Sequence, residues 1–117
     1  MNVRFSFSPM FFENGFSNDQ LYNMRRRVAV MFQDAGYGDF HETPDGLFRN
    51  EHIEPEVDGY GEFNNNGVNR WELIMIYHVD PFEIGNFMEL ITVRIPELRA
   101  AIRDVFDANA LVDIYYD

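Results

Sequence analysis

The 117-residue chain contains no cysteine and no lysine, and it has only three serines and one tryptophan. Without cysteine there is neither a disulfide framework nor a Cys-based zinc or redox centre, and the cytosol becomes the expected compartment. Every one of the nine basic residues is an arginine, against twenty acids, for a formal net charge of −11. A direct binder of nucleic acid neutralises phosphates with Lys and Arg, so this balance argues against that role. Long apolar runs are missing as well. Leu73 to Tyr77 is five residues long, far short of the roughly 20 that a membrane helix needs. The start of the chain, Met1 to Phe7, has one basic residue but no apolar stretch or small-residue cleavage site. Neither a signal peptide nor membrane association is expected.

The serines leave little room for nucleophilic catalysis. Ser6 and Ser8 lie in an expected strand, Ser17 lies at an expected helix cap, and no G-x-S-x-G surrounds any of them. Gly59-Tyr60-Gly61 lacks both a following helix and a lysine, so it does not read as a phosphate loop. The chain is not expected to be an enzyme, and no cofactor is implied.

What is present is ample material for a core. Hydrophobic residues make up 46% and aromatics 16%, with twelve phenylalanines. That content argues against disorder despite the charge, and the length suits one domain over residues 1–117.

Val3, Phe5 and Phe7 alternate with Arg4, Ser6 and Ser8, which predicts a strand with one buried face. Ser17-Asn18-Asp19-Gln20 fits a capping box, with Phe16 and Leu21 placed as its hydrophobic staple. Leu21, Met24, Val28, Met31, Phe32 and Ala35 then recur at helical spacing up to Gly36, predicting a helix over Ser17 to Ala35. Residues 36–56 read as a Gly/Pro-rich acidic loop with a short strand near Leu47-Phe48. Asn64-Asn65-Asn66-Gly67 reads as a hairpin turn, and its loop length leaves open whether Glu62 faces Arg70. Arg70 to Val79 is apolar on both faces, as a central strand would be.

Asp80-Pro81-Phe82-Glu83 has helix-start chemistry. Ile84, Met88, Ile91, Ile95, Leu98, Ile102 and Val105 then keep one helical seam, which Pro96 should kink or break near Thr92 to Ile95. The competing reading makes Leu90 to Ile95 a β-branched strand and begins a new helix at Pro96. Leu111 to Tyr116 reads as a final strand. The order β-α-β-β-α-β resembles, in outline, the ferredoxin-like βαββαβ arrangement: an α+β two-layer sandwich with a Pro96-kinked second helix. Such a fold hosts many functions and implies none.

The charge is uneven. Asp34, Asp39, Glu42, Asp45, Glu51, Glu54, Glu56, Asp58 and Glu62 share their stretch with one base, Arg49, so nine acids less one base give −8. The remaining eleven acids and eight bases give −3. Adaptation to salt would spread acids over the whole surface, whereas Arg94, Arg99 and Arg103 nearly balance Glu89, Glu97, Asp104 and Asp107. If residues 54–63 are extended, Glu54, Glu56, Asp58, Tyr60 and Glu62 share one face, repeating every ~6.6 to 6.8 Å. That is about twice the ~3.4 Å rise along a DNA strand. The expectation is an inhibitor that mimics nucleic acid and binds a basic nucleic-acid-binding protein or nuclease. Its contact residues would be Glu54, Glu56, Asp58, Tyr60 and Glu62, with Asp39, Glu42, Asp45 and Glu51 as steering charges. In size and charge such a protein resembles phage inhibitors of restriction or CRISPR effectors and the immunity proteins of nuclease toxins.

The competing readings of the same residues are blander. A solvated loop is one. A metal site at His41, Glu42, His52 and Glu54 is another, although short-spaced His and acids in a loop are more often solvated. Glu62-x-Asn64-x-Asn66-Gly67 resembles a calcium loop, but Leu73 stands where the bidentate Glu belongs. Arg25-Arg26-Arg27 is expected to pair within the protein, with the acidic segment or near Asp19 and Gln20, rather than bind an anion. The alternative assembly is a homodimer, or a small-ligand site, on an outer sheet face carrying Ile74, Ile76 and His78.

Overall fold

A computed structural model describes residues 2–10, 17–65, 68–80, 84–107 and 109–116. Its elements are β1 (Asn2–Met10), α1 (Asn18–Asp34), β2 (His41–Glu42), β3 (Phe48–Arg49), β4 (Ile53–Asn65), β5 (Val68–Val79), α2 (Ile84–Val93), α3 (Ile95–Phe106) and β6 (Leu111–Tyr116). The protein is thus a mixed α+β domain with an antiparallel sheet and three helices. The main sheet has the order β4-β5-β1-β6, and β2 with β3 forms a separate ribbon. This order of elements differs from the simpler one expected, because the ribbon intervenes and the second helix is divided.

Local chemistry accounts for the helices. At α1 the Ser17 side chain accepts from the Gln20 amide (3.1 Å) and the Gln20 side chain accepts from the Ser17 amide (3.0 Å), so both halves of the capping box are made. Ala35 closes the helix and Gly36 follows at φ 95°, a conformation that a residue with a Cβ resists. The staple residue Phe16 lies outside the described residues, as do Pro81, Phe82 and Glu83 of the expected start of α2. At Pro96 the chain breaks rather than bends. Arg94 leaves helical geometry (φ −93°, ψ 3°) and α3 restarts with the proline in its first turn, where a missing N–H costs nothing. The alternative of a strand over Leu90 to Ile95 with a new helix from Pro96 is half right: Leu90 to Val93 belong to α2, so there is no strand, but a separate helix does begin at Ile95.

One buried cluster joins the layers. Val3, Phe5 and Phe7 of β1, Leu73, Met75, Tyr77 and Val79 of β5, Met24, Val28 and Phe32 of α1, and Ile91, Leu98 and Ile102 of the broken helix all belong to it. On the other parity Arg4, Ile74, Ile76 and His78 are half-buried or exposed and Ser6 is buried, so among the described residues the helices cover one face only. Phe32 is at its centre, with ring centroids 5.4 Å from Tyr77, 5.5 Å from Phe87 and 5.7 Å from Phe40. No helix among the described residues is long and apolar enough to cross a membrane.

Candidate functional site

The acidic segment leaves the core at Tyr37 and returns to it at Ile53, both buried. Between them the backbone is held at both ends and in the middle. Gly36 and Gly38, both at positive φ, turn the chain out of α1. Phe40 stacks on Phe32 with the rings 20° apart. His41 then pairs with Arg49 and Glu42 with Phe48, forming the ribbon. Its tip is a tight turn in which the Thr43 amide donates to the Leu47 carbonyl (2.7 Å) and the Leu47 amide donates to Thr43 Oγ1 (3.2 Å). Phe48 packs against Tyr22 of α1, ring centroids 5.6 Å apart.

Asn50 fastens the return. Its Nδ2 donates to the Tyr37 carbonyl (2.7 Å), and its Oδ1 accepts from the amides of His52 (3.0 Å) and Ile53 (2.8 Å). The Asp80 amide donates to the His52 carbonyl (3.0 Å), tying the same turn to the end of β5. These bonds hold the backbone at the ribbon and at its return, and the excursion is an ordered one.

With the apolar side chains turned inward, the acids point out. Asp39, Glu42, Asp45, Glu51, Glu54 and Glu56 are all exposed. Arg49 is the single base between residues 39 and 56, so six acids and one base leave −5. Arg49 Nη1 lies 3.5 Å from Glu54 Oε1, and His52 Nε2 lies 3.2 Å from Glu51 Oε1. The Glu51 and Glu54 side chains are 85% and 57% exposed, so water screens both contacts and neither adds much stability. Glu42 is engaged by the Tyr22 hydroxyl, whose pKa is raised, first by desolvation and then by that hydrogen bond and the carboxylate's charge.

The single carboxylate face expected over 54–62 is not a feature of this backbone. Glu54 pairs with His78 and Pro55 with Tyr77, but Val57 pairs with Ile76, leaving Glu56 as the extra residue of a β-bulge. Side chains alternate with a period of two, so one inserted residue exchanges the faces of everything after it. Asp58, Tyr60 and Glu62 consequently sit across from Met75, Leu73 and Trp71, the helix-side rows, whereas Glu54 sits in the outer row of His78. The side chains of Asp58, Tyr60 and Glu62 lie outside the described part of the structure. The hairpin register is also settled. Asn65 pairs with Val68, so Glu62 faces Trp71, and it is Phe63 that faces Arg70.

Other expected sites fare differently. Among the described residues no three His, Cys, Asp or Glu side chains come together as a metal would require, and that includes His41, Glu42, His52 and Glu54. Within the arginine run, Arg27 bonds Asp104 of α3 at 2.9 Å rather than the acidic segment or the first turn of its own helix. Ile74, Ile76 and His78 do share the outer face, where His78 Nδ1 lies 3.2 Å from Asn2 Oδ1. Asn50 and the Tyr22–Glu42 contact had no sequence signal beyond residue type.

No known protein family, curated protein or solved structure matches this chain.

Proposed function

We propose that the protein is a binding module whose acidic segment, residues 39–56, occupies the cationic surface of a basic nucleic-acid-acting protein and so inhibits it. One observation carries the reading: six exposed carboxylates share an ordered, hydrogen-bonded segment with a single arginine. Ordering matters because a pre-formed anionic surface binds without the entropy cost of immobilising a loop. A concentrated negative patch also speeds encounter with a positive one, and the effect fades with salt. The bulge removes regular phosphate-like spacing from the argument, which now rests on charge density in a fixed place. The same reading takes the main sheet and its helices as a ferredoxin-like core carrying the β2–β3 ribbon as an insertion. The sheet order β4-β5-β1-β6 supports it once α2 and α3 are read as one broken helix.

The test compares the wild-type chain with the Glu51→Arg/Glu56→Arg variant as baits in a cell lysate, at low and high salt and with competing DNA. Wild type should retain basic nucleic-acid-binding proteins that salt and DNA release, and should inhibit the retained enzyme. The variant should retain none of them while its unfolding free energy stays within about 1 kcal/mol, as for surface substitutions. Retention of the same proteins by both baits refutes the proposal.

A further inference from the structure

An open strand edge is a template for another strand, and the two edges of the main sheet are built differently. β4 carries Pro55 and the bulge at Glu56, and β3 of the ribbon lies against it. Each of these features blunts an edge. β6 has none of them. It runs from Leu111 to Tyr116 without a proline and, like the whole chain, without a lysine. Its six residues pair with β1 in unbroken register, from Val3 with Tyr116 to Ser8 with Leu111. Among the described residues no strand lies on its other side.

This edge is also apolar. Five large hydrophobic side chains are exposed among the described residues, and three of them, Leu111, Tyr115 and Tyr116, belong to β6. Asp113 is the one charged residue of the strand. On β1, Arg4 is exposed and pairs with Tyr115, and its guanidinium sits 4.7 Å from the centre of that ring. The cation therefore already leans over the edge strand.

We infer that β6 pairs antiparallel with β6 of a second copy, joining two four-stranded sheets into one of eight strands. Opposed residues share a face, so a two-fold axis perpendicular to the sheet must set one residue against itself. Centring the pair on Asp113 would oppose two carboxylates, which is unfavourable. Centring it on Ile114 sets Asp113 against Tyr115 of the second copy and Val112 against Tyr116 of the second copy. The row that holds Arg4 and Tyr115 then continues into Asp113 of the other chain. The two backbones are two strand spacings apart, about 10 Å, and the guanidinium has crossed part of that gap. Symmetry makes the contact twice. An edge that supplies both the cation and the anion of its own contact fits a second copy better than an unrelated strand. Net charge does not forbid it, because the acidic segment leads into β4 at the far edge. That edge is three strand spacings, about 14 Å, from β6, beyond the Debye length of about 8 Å at physiological salt.

Sedimentation velocity over a range of concentrations reads the assembly, and concentration-dependent amide shifts read its surface. Wild type should form a dimer, with shifts along β6 and none along β4. Asp113→Arg and Arg4→Asp, both at exposed positions, should each weaken dimerisation about tenfold or more, since each sets like charges together twice. Mixed in equal amounts, the two variants should recover a heterodimer, because one reversal on each chain restores opposite charges at both contacts. A contact made within one chain would give no such rescue, and the rescue also shows that both variants are folded. Wild type that stays monomeric at every concentration overturns the inference. So does a dimer that both substitutions leave intact, one whose shifts fall on β4, or a mixture that stays monomeric. None of these outcomes depends on the acidic segment's role, which the lysate experiment tests separately.

Discussion

The helical layer and the acidic segment handle charge in opposite ways. Helices α1, α2 and α3 carry Arg25, Arg26, Arg27, Arg99 and Arg103 against Asp19, Asp34, Glu89, Glu97 and Asp104, a balance of five and five. Arginines also tie the helices together. Arg27 bridges to Asp104, and Arg94, at the helix break, bonds Glu97 (2.8 Å) and the Asp34 carbonyl at the end of α1 (3.1 Å). Glu97 in the first turn of α3 and Arg103 in its last also complement the helix dipole. In the acidic segment one arginine serves six carboxylates, and the hydrogen bonds that order the chain are made by neutral groups: Asn50, Thr43 and the backbone. Charge helps to assemble the first region. In the second it is left for something outside the molecule, while apolar and amide contacts do the assembling.

Both regions share a core, and removing its centre tests whether they stand or fall together. Phe32 is fully buried and touches Tyr37 and Phe40, which lead into the acidic segment, as well as Phe87 of α2 and Tyr77 of β5. Phe32→Ala should cost about 3–5 kcal/mol in denaturant unfolding. Loss of signal from β2–β3 should coincide with loss of helix. If the ribbon outlasts the helices, or the reverse, the two regions are separate folding units.

A smaller change should separate them. Asn50→Ala leaves the Tyr37 carbonyl and the amides of His52 and Ile53 without their partner, a cost of about 1–3 kcal/mol. Hydrogen exchange should quicken at His52, Ile53 and Asp80, which share that turn, and stay unchanged along α1 and α3. Uniform acceleration would mean that the segment is held by the domain as a whole rather than by its own clasp.

What could be read in advance follows from the range of the forces involved. The capping box of α1 lies within four residues of sequence, and Pro96 breaks a helix by its own ring, so both were legible. The bulge at Glu56 depends on how β4 meets β5, but it had a local warning. Pro55 donates no hydrogen bond, and a proline in a strand marks an edge or a bulge. Alternating acids after it invited the assumption of one continuous face, which a single extra residue undoes. The ribbon was harder to foresee, because two-residue strands have no periodicity, and Phe48, which packs against Tyr22, is remote from it in sequence. Tyr37 and Phe87 reach the core from a turn and from a helix side that the apolar seam does not include. The six steering and contact acids between 39 and 56 could be named from sequence; that they share an ordered segment could not.

Tyr22 sits on the boundary between the two regions, so its titration gives the finest test of how they are coupled. It belongs to α1, packs against Phe48 with the rings tilted by 49°, and donates its hydroxyl to Glu42. Desolvation raises its pKa first, the Glu42 hydrogen bond and charge add to that, and Arg26 pulls the other way. The folded value therefore lies above the unfolded phenol's value of about 10. A raised value means that the folded state holds the proton more tightly, so the associated stability is complete below pH about 10 and is lost as pH climbs through the folded pKa. Tyr116 is also raised, by burial alone, and provides the control. Phenolate absorbance and the urea midpoint, followed together above pH 10, should show wild type weakening more steeply than Tyr22→Phe. Tyr116→Phe should keep the part of that slope that belongs to the ribbon amides. If Tyr22→Phe leaves the slope unchanged, the Glu42 contact does not fasten the ribbon, and packing of the Tyr22 ring against Phe48 is what joins the acidic segment to the helices.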